Sequence, residues 1–361
     1  MEIPSPQKEI YEKERFTALE AQRLAQEIAF GPIVFQVSRL MVKFGIFELL
    51  LKEKDGLSLD EIIKETELSH YAVQVLLESS LTIGTVLLKD KRFFIAKTGY
   101  FLLNDKMARV NMDFNHDVNY LGIFHLEEAL LNRKPEGLKV FGDWSTIYEG
   151  LSSLPEQVQK SWFGFDHFYS DNAFSQALEI VFHNKPDKLL DVGGNTGRWA
   201  TKCVNYSSDV HVTIMDLPQQ IELMKEAIKN LPEKNRIHGY ETDLLNKDSA
   251  FPTGFDAIWM SQFLDCFSEE EVTSILQRAS HSMSASSKLY IMETFWDRQR
   301  FETASYCLTQ ISLYFTALAN GNSKMYYSRD METCINNAGL RIETIYDHLG
   351  LGHSIMQCCL A

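Results

Sequence analysis

The run Lys188-Leu189-Leu190-Asp191-Val192-Gly193-Gly194-Asn195-Thr196-Gly197-Arg198 constrains the fold more than any other stretch of the chain. A short apolar segment ends in an acid, turns through glycines and opens a helix, the arrangement by which α/β proteins hold a nucleotide-like ligand at the edge of a parallel sheet. Glycine lets the backbone turn sharply and approach a ligand, and the N–H groups opening the next helix point at whatever sits there. Asp191, Gly193, Asn195 and Gly197 alternate, whereas a dinucleotide fingerprint requires G-x-G-x-x-G. Asn at the middle position tolerates the left-handed backbone better than most residues. The plain alternative is a glycine-rich strand-to-helix turn with no ligand.

With 361 residues and 45% hydrophobic content, the chain is long enough for two domains and a sizeable core. Its net charge of −14 repels phosphate backbones and anionic lipid, so neither nucleic acid nor membrane is expected as a partner. The six cysteines, Cys203, Cys266, Cys307, Cys334, Cys358 and Cys359, have no C-x-x-C spacing and read as reduced thiols. Met1 to Arg15 lacks the apolar core of a signal peptide, and no later run reaches membrane-spanning length. A cytoplasmic location is therefore expected.

From Thr17 to Glu53 apolar residues recur at helical spacing, and Gly31-Pro32 should end one helix and start the next. The second stretch, Ile33 to Leu51, reads as a helix unusually apolar for an exposed position. It is either buried in its own domain or the seam of a homodimer. Ser58 caps a short helix to Thr66, and Ser69 begins another from His70 to Gly84. Thr85 to Ala96 then reads as a hairpin turning at Lys89 to Arg92. Helix, turn, helix and hairpin make a winged helix, whose second helix could enter a DNA major groove. Ser69 to Glu78 carries no Arg or Lys, so it has little with which to hold phosphate.

Tyr100 to Phe182 reads as mostly helical and is dense in aromatics from Trp162 to Phe174, with His167 among them. Such a stripe is either core or the wall of a site for a flat substrate. Beyond the glycine loop, strands and helices alternate, the signature of a parallel sheet with crossover helices. Lys188 to Val192, Val210 to Met215, Arg236 to Glu241, Phe255 to Met260, Lys288 to Glu293, Arg341 to Tyr346 and Ser354 to Leu360 make seven strands, the last two forming a hairpin that adds one antiparallel strand. The expected division is 1–105 for a helical winged-helix-like dimerisation domain, 106–182 for a helical linker and substrate-pocket segment, and 183–361 for the α/β domain.

Ligands in such sheets bind beyond the carboxyl ends of the strands. Asp216, followed by Leu217 and Pro218, ends the second strand, where an acid can accept both hydrogen bonds of a ribose diol. Asp243 and Leu244 follow the third, suited to an adenine amine and an adenine face. Any one acid could simply cap a strand. Three in register favour a ligand.

Taken together, the run from Asp191 to Gly197, Asp216-Leu217-Pro218, Asp243, Ser261 to Glu271, Glu293 and the winged-helix start resemble the dimeric S-adenosylmethionine (SAM)-dependent O-methyltransferases of the caffeate and bacterial polyketide-tailoring class. The likeness runs from about Ala18 onward. It implies a Rossmann-like seven-stranded SAM-methyltransferase sheet, a homodimer formed by the N-terminal domain, and O-methylation of a small aromatic molecule. It further implies that Asp216 with Leu217 holds the ribose, Asp243 with Leu244 the adenine, Asp191, Gly193, Gly194 and Gly197 the methionine part, and the Ser261 backbone the cofactor.

The family motif L-H-D-W-S-D-E-E carries the histidine that deprotonates the substrate. Here the run is Leu264-Asp265-Cys266-Phe267-Ser268-Glu269-Glu270-Glu271, with Asp265 in the histidine's place. Glu293 matches one acid that orients that histidine, and Met325 stands near the position of the second. A phenol has a pKa of about 10 and a free aspartate about 3.9, so an ordinary carboxylate is a feeble base for it. Burial among Phe263, Leu264 and Phe267 beside Glu293 should raise Asp265. Three readings stay open: Asp265 as the base for an acidified hydroxyl; methylation of an ionised hydroxyl, a ring carbon or a nitrogen without a strong base, with His167 or His125 assisting; or a SAM-binding fold that has lost transfer. No metal is expected, because no clustered carboxylates stand out and Glu269 to Glu271 reads as a helix N-terminus. The competing classes are a winged-helix DNA-binding regulator and an NAD-dependent oxidoreductase.

Overall fold

The structure, a computed structural model, describes residues 10–361. The first nine residues, part of the Met1 to Arg15 stretch read as lacking a signal-peptide core, lie outside the described residues. The described chain forms two compact units, one up to Asp117 and one from Val118 to Ala361.

In the first unit, helices span Ala18–Ala29, Gly31–Lys43, Ile46–Lys52, Leu59–Thr66 and His70–Ile83. The expected continuous helix from Ile33 to Leu51 is corrected by a break at Phe44-Gly45. Gly45 adopts φ 70°, a left-handed conformation that ends one helix and starts the next. The bend turns Ile46, Phe47 and Leu50 into one core with Met41, Val73 and Leu77. The Ser58 hydroxyl accepts from the Glu61 amide at 3.3 Å while the Glu61 carboxylate accepts from the Ser58 amide at 2.7 Å, a reciprocal cap. Strands β1 (Val86–Lys89) and β2 (Arg92–Ile95) pair antiparallel with Val86 opposite Ile95. Asp90 and Lys91 both take positive φ, the geometry that matches a two-residue hairpin to strand twist. Leu57 exchanges two backbone hydrogen bonds with Phe93, completing the wing.

The second unit is built on β3 (Lys188–Val192), β4 (His211–Asp216), β5 (Ile237–Glu241), β6 (Ala257–Ser261), β7 (Lys288–Glu293), β8 (Leu340–Leu349) and β9 (His353–Leu360). The order across the sheet is β5-β4-β3-β6-β7-β9-β8, parallel except for β9. Central strands are apolar on both faces because helices cover both. Leu190, Val192, Met260 and Ile291 pack toward helices Glu269–Ser282 and Ser328–Asn337. Leu189, Trp259, Tyr290 and Met292 pack toward Phe174–Val181, Arg198–Tyr206 and Pro218–Ile228. Strand ends fall within a few residues of expectation, and the terminal hairpin runs on to Leu349 opposite His353. Among the described residues no helix is long and apolar enough to cross a membrane.

After β5 the chain returns to the middle of the sheet and continues outward from β6. The reversal leaves a crevice between the carboxyl ends of β3 and β6, where ligands of such sheets bind.

Gly45→Ala tests the helix break. A Cβ there meets nothing within 4 Å, so the whole penalty is backbone strain, about 1 kcal/mol. It is read as a lower midpoint in chemical denaturation of the full chain; an unchanged midpoint would mean that the left-handed turn is not required.

Candidate active site

The glycine loop leaves β3 with Gly193, Asn195 and Gly197 all at positive φ. Asn195, at φ 47°, takes the left-handed turn that its side chain tolerates. The Gly193 amide donates to the Met215 carbonyl at 2.9 Å, carrying the loop over the end of β4. A Cβ on Gly193 would lie 2.2 Å from the Phe263 ring, and one on Gly194 would lie 2.6 Å from Asp191 Oδ2. Only glycine fits either place without a shift of its neighbours.

Asp216, at the end of β4, closes the loop. Its Oδ2 accepts from the Asn195 amide and its Oδ1 from the Leu217 amide, each at 2.8 Å. Each oxygen keeps a further acceptor position. Burial raises the Asp216 pKa, and the two amide bonds pull it back. Asp191 is 2% exposed, and its Oδ2 and the Asn195 Oδ1 are buried without a hydrogen-bond partner. Burial, and then the neighbouring Asp216, push Asp191 up to about 8. Acceptors without donors around a loop that must be glycine fit a ligand rich in hydroxyl and ammonium groups, as the adenosyl-methionine end of SAM is.

Asp243 lies exposed at the rim, its Oδ1 accepting from the Leu245 amide at 2.9 Å. Leu244 is buried in the core, with its carbonyl accepting from Arg278 Nη2 at 2.7 Å. Ser261, half-buried, ends β6 opposite Met292.

Across the crevice, Glu293 ends β7. Its Oε1 accepts from the Phe263 amide at 3.0 Å and the Leu264 amide at 2.8 Å, fastening the short turn Leu264–Cys266 that carries Asp265. Asp265 is 4% exposed and its Oδ1 accepts from the Cys266 thiol at 3.5 Å. Burial raises both carboxyls, and repulsion from Asp265 raises Glu293 further. Met325, where a second acid was expected to be missing, accepts from Thr294 Oγ1 at 3.5 Å.

Residues the sequence did not single out complete this half. Tyr148 and Tyr314 lie close enough to Asp265 and Cys266 for their hydroxyl pKa values to be raised by them, after burial. Trp162 Nε1 donates to the Tyr314 hydroxyl at 2.7 Å. Asn320 Nδ2 donates to the Cys266 carbonyl at 2.5 Å, and Tyr326 donates to the Phe267 carbonyl. Asp166 keeps 30% of its side-chain surface, yet the crowding around it, then Asp265 and Asp171, push it up to about 7 against the pull of Arg198. Its position inside the aromatic segment was the only signal for it in the sequence.

His167 is engaged by Asp166 and Phe163. Its Nδ1 is 3.5 Å from Asp166 Oδ2, its ring stacks on Phe163, and it lines an open groove with Asp171, Thr196, Arg198 and Lys202. Burial, then Arg198, lowers its pKa. His125 faces Glu128 at 3.4 Å on a separate helix. Among the described residues no group of three His, Cys, Asp or Glu is placed to hold a metal ion.

A Dimerisation2-like domain matches residues 22–93 and an O-methyltransferase domain matches residues 125–341, so the chain belongs to the O-methyltransferase domain family. It is a SAM-dependent methyltransferase. The L-tyrosine C(3)-methyltransferase of Streptomyces lavendulae is 25% identical over 321 residues, 88% of this chain and 86% of that one. The acetylserotonin O-methyltransferase of Macaca mulatta is 22% identical, over 77% of this chain and 81% of that one. The methyltransferase SibL in its apo form superposes with a TM-score of 0.69 at 20% identity, covering 92% of this chain and 98% of that one. The O-methyltransferase NcsB1, in complex with SAM and 2-hydroxy-5-methyl naphthoic acid, gives 0.67 at 14% identity, covering 91% and 96%. These superpositions establish the shared fold.

The elevated carboxyls set a pH dependence of stability. A group whose folded pKa lies above its unfolded value keeps its proton after the unfolded chain has lost it, so stability falls as pH rises between the two values. The buried histidine His353, held down to about 4, acts oppositely but only below its ordinary value near 6.5. Between pH 6.5 and 8 Asp191, raised to about 8, Asp166, raised to about 7, and the raised Glu293 all act in the same direction, so the thermal midpoint falls as pH rises. Asp191→Asn, scanned by calorimetry at both pH values, should remove the Asp191 share of that fall and leave the rest. An equal fall in the variant would mean that Asp191 is already ionised at pH 6.5.

Proposed function

We propose that this chain methylates a small aromatic molecule at a phenolic oxygen, with Asp265 accepting the hydroxyl proton and Glu293 sharing its charge. The observation that carries the reading is the buried Asp265–Glu293 pair, fastened across the crevice from the glycine loop by two amide bonds to Glu293.

SAM supplies a sulfonium methyl for in-line displacement. Asp216 would hold the ribose hydroxyls with its remaining acceptor positions, while Leu217 fixes that carboxylate through its amide. Gly193, Gly194 and Gly197 would let the methionine end approach the backbone, with Asp191 facing its ammonium. Asp243 and Leu244 would flank the adenine, and the Ser261 backbone would complete the cradle. Burial brings the Asp265 carboxyl nearer to a phenol's range than a free aspartate, and repulsion between Asp265 and Glu293 disfavours both being ionised at once. The walls from Trp162, Tyr148 and Tyr314 keep water from the developing phenolate. His167 serves this reading only as a groove residue beside Asp166.

Carbon methylation is the second reading, favoured by the relative named for L-tyrosine C(3). Removing the phenol proton also makes the adjacent ring carbon nucleophilic. Its attack on the methyl gives a dienone, whose ring proton leaves to water as the oxygen regains a proton from the base, so Asp265 would serve both outcomes.

The Dimerisation2-like match and the helices Ala18–Ala29 and Gly31–Lys43, which leave Leu19, Ile28 and Ile33 largely exposed, support a homodimer. We read 1–105 as its dimerisation domain, 106–182 as the linker and pocket segment and 183–361 as the SAM domain, in a cytoplasmic protein with no nucleic-acid partner.

Asp216→Ala removes both amide bonds and the ribose acceptor, and should weaken S-adenosylhomocysteine binding at least about 100-fold by calorimetry. Asp265→Asn should leave that affinity within about threefold and lower turnover with a phenolic acceptor about 100-fold or more. Unchanged turnover in the second variant would remove Asp265 from the mechanism.

A further inference from the structure

Resting on the seating of the adenine between Asp243 and Leu244 in the proposed function, we propose that Arg278 is a positioning residue for the cofactor, and that its guanidinium sets the preference of the site for adenine over hypoxanthine.

Residues 243–250 follow β5 without forming a helix or a strand. Bonds inside the segment close it on itself: the Ser249 hydroxyl donates to the Asp243 carbonyl at 2.8 Å, and the Asp248 amide donates to Asn246 Oδ1 at 3.0 Å. Among the described residues, its hydrogen bonds to the rest of the fold all come from Arg278. Nη1 donates to the Asn246 carbonyl at 3.1 Å and the Ser249 carbonyl at 3.0 Å, and Nη2 donates to the Leu244 carbonyl at 2.7 Å. Nε donates to the Ser274 carbonyl at 3.3 Å, one turn back on its own helix, which steadies the side chain.

That helix, Glu269–Ser282, is a firm support. Val272, Ile275, Leu276 and Ala279 bury it against the sheet, and Ser268 and Glu271 cap its start reciprocally. Three carbonyl oxygens turned toward one place need several donors there, and losing those donors leaves them unsatisfied. A guanidinium supplies them in a fixed plane, which the single nitrogen of a lysine does not reproduce.

The clamped segment carries both residues that seat the base. The Leu244 carbonyl is held directly, and Asp243 is tied to the clamped Ser249 through the Ser249 hydroxyl. The Leu245 amide takes Asp243 Oδ1 at 2.9 Å, which leaves Oδ2 for an amine. Adenine presents an amine where hypoxanthine presents a carbonyl, so a carboxylate held in place accepts from the first and repels the second. Without the guanidinium the segment is free to shift, and the selection fades.

The test is calorimetry on the full chain with S-adenosylhomocysteine and with S-inosylhomocysteine, which carries hypoxanthine in place of adenine. The unaltered chain should bind the adenine form at least about tenfold more tightly. Arg278→Lys, which keeps the charge, should weaken S-adenosylhomocysteine at least about tenfold and bring the two affinities to within about threefold. Should Arg278→Lys not unfold cooperatively, Arg278→Gln is measured in its place with the same expectation. Asp243→Asn should also bring the affinities together, and adding Arg278→Lys to it should change their ratio no further. Gln277→Ala removes a bond to the Asn337 carbonyl from the same helix and should leave the ratio unchanged. A loss of stability alone would weaken both ligands alike. A preference that survives in Arg278→Lys, or that fades equally in Gln277→Ala, overturns the assignment to Arg278 and leaves the adenine seat standing. Equal binding of the two ligands by the unaltered chain, or no saturable heat with S-adenosylhomocysteine, is a failure of the proposed adenine seat itself and overturns this inference with it.

Discussion

One carboxylate held by two backbone amides organises the cofactor side of this molecule. Asp216 takes the Asn195 amide on one oxygen and the Leu217 amide on the other, so the glycine loop and the start of the following helix are fixed to the same strand end. Hydrogen bonds to an ionised acceptor are the strong ones in a protein, and here they set the width of the crevice at the sheet's switch point. Glu293 repeats the device on the opposite side, holding the Phe263 and Leu264 amides. Two strand-ending acids thus brace two loops, and the space between the loops is the candidate site.

The braces have an electrostatic cost. Asp191, Asp265 and Glu293 are almost wholly buried in a chain whose net charge is already −14. Carboxyls so placed lose hydration and repel one another, and their pKa values rise for that reason. A site built this way is poor at holding an anion and well suited to cations. SAM, a sulfonium donor, is a cation of the kind such a site suits. On the Asp265 side, the same surplus is what the proposed role of that carboxyl as the base relies on.

Much of the C-terminal half was legible because its signals are local. An apolar run, an acid and alternating glycines specify strand, turn and helix within eleven residues, and the seven strands follow from the same alternation. The helix break at Gly45 was hidden inside a run apolar enough to read as continuous, since hydrophobic spacing does not report a left-handed φ. Asp166 and Tyr148 were hidden for a different reason. They come from helical segments far from Asp265 in sequence, and only packing of the aromatic helix decides which side chains meet the strand ends. Asp216 was legible as a strand-ending acid, but its service as a brace was not, because its partners are backbone amides that no residue pattern encodes.

The most direct measurement is a crystal structure of the full chain with S-adenosylhomocysteine. The account places both ribose hydroxyls within hydrogen-bonding distance of the Asp216 carboxylate, with the Asn195 and Leu217 amide bonds retained and the sulfur facing Asp265 across the crevice. A nucleoside seated away from Asp216, or a sulfur turned from Asp265, would contradict it.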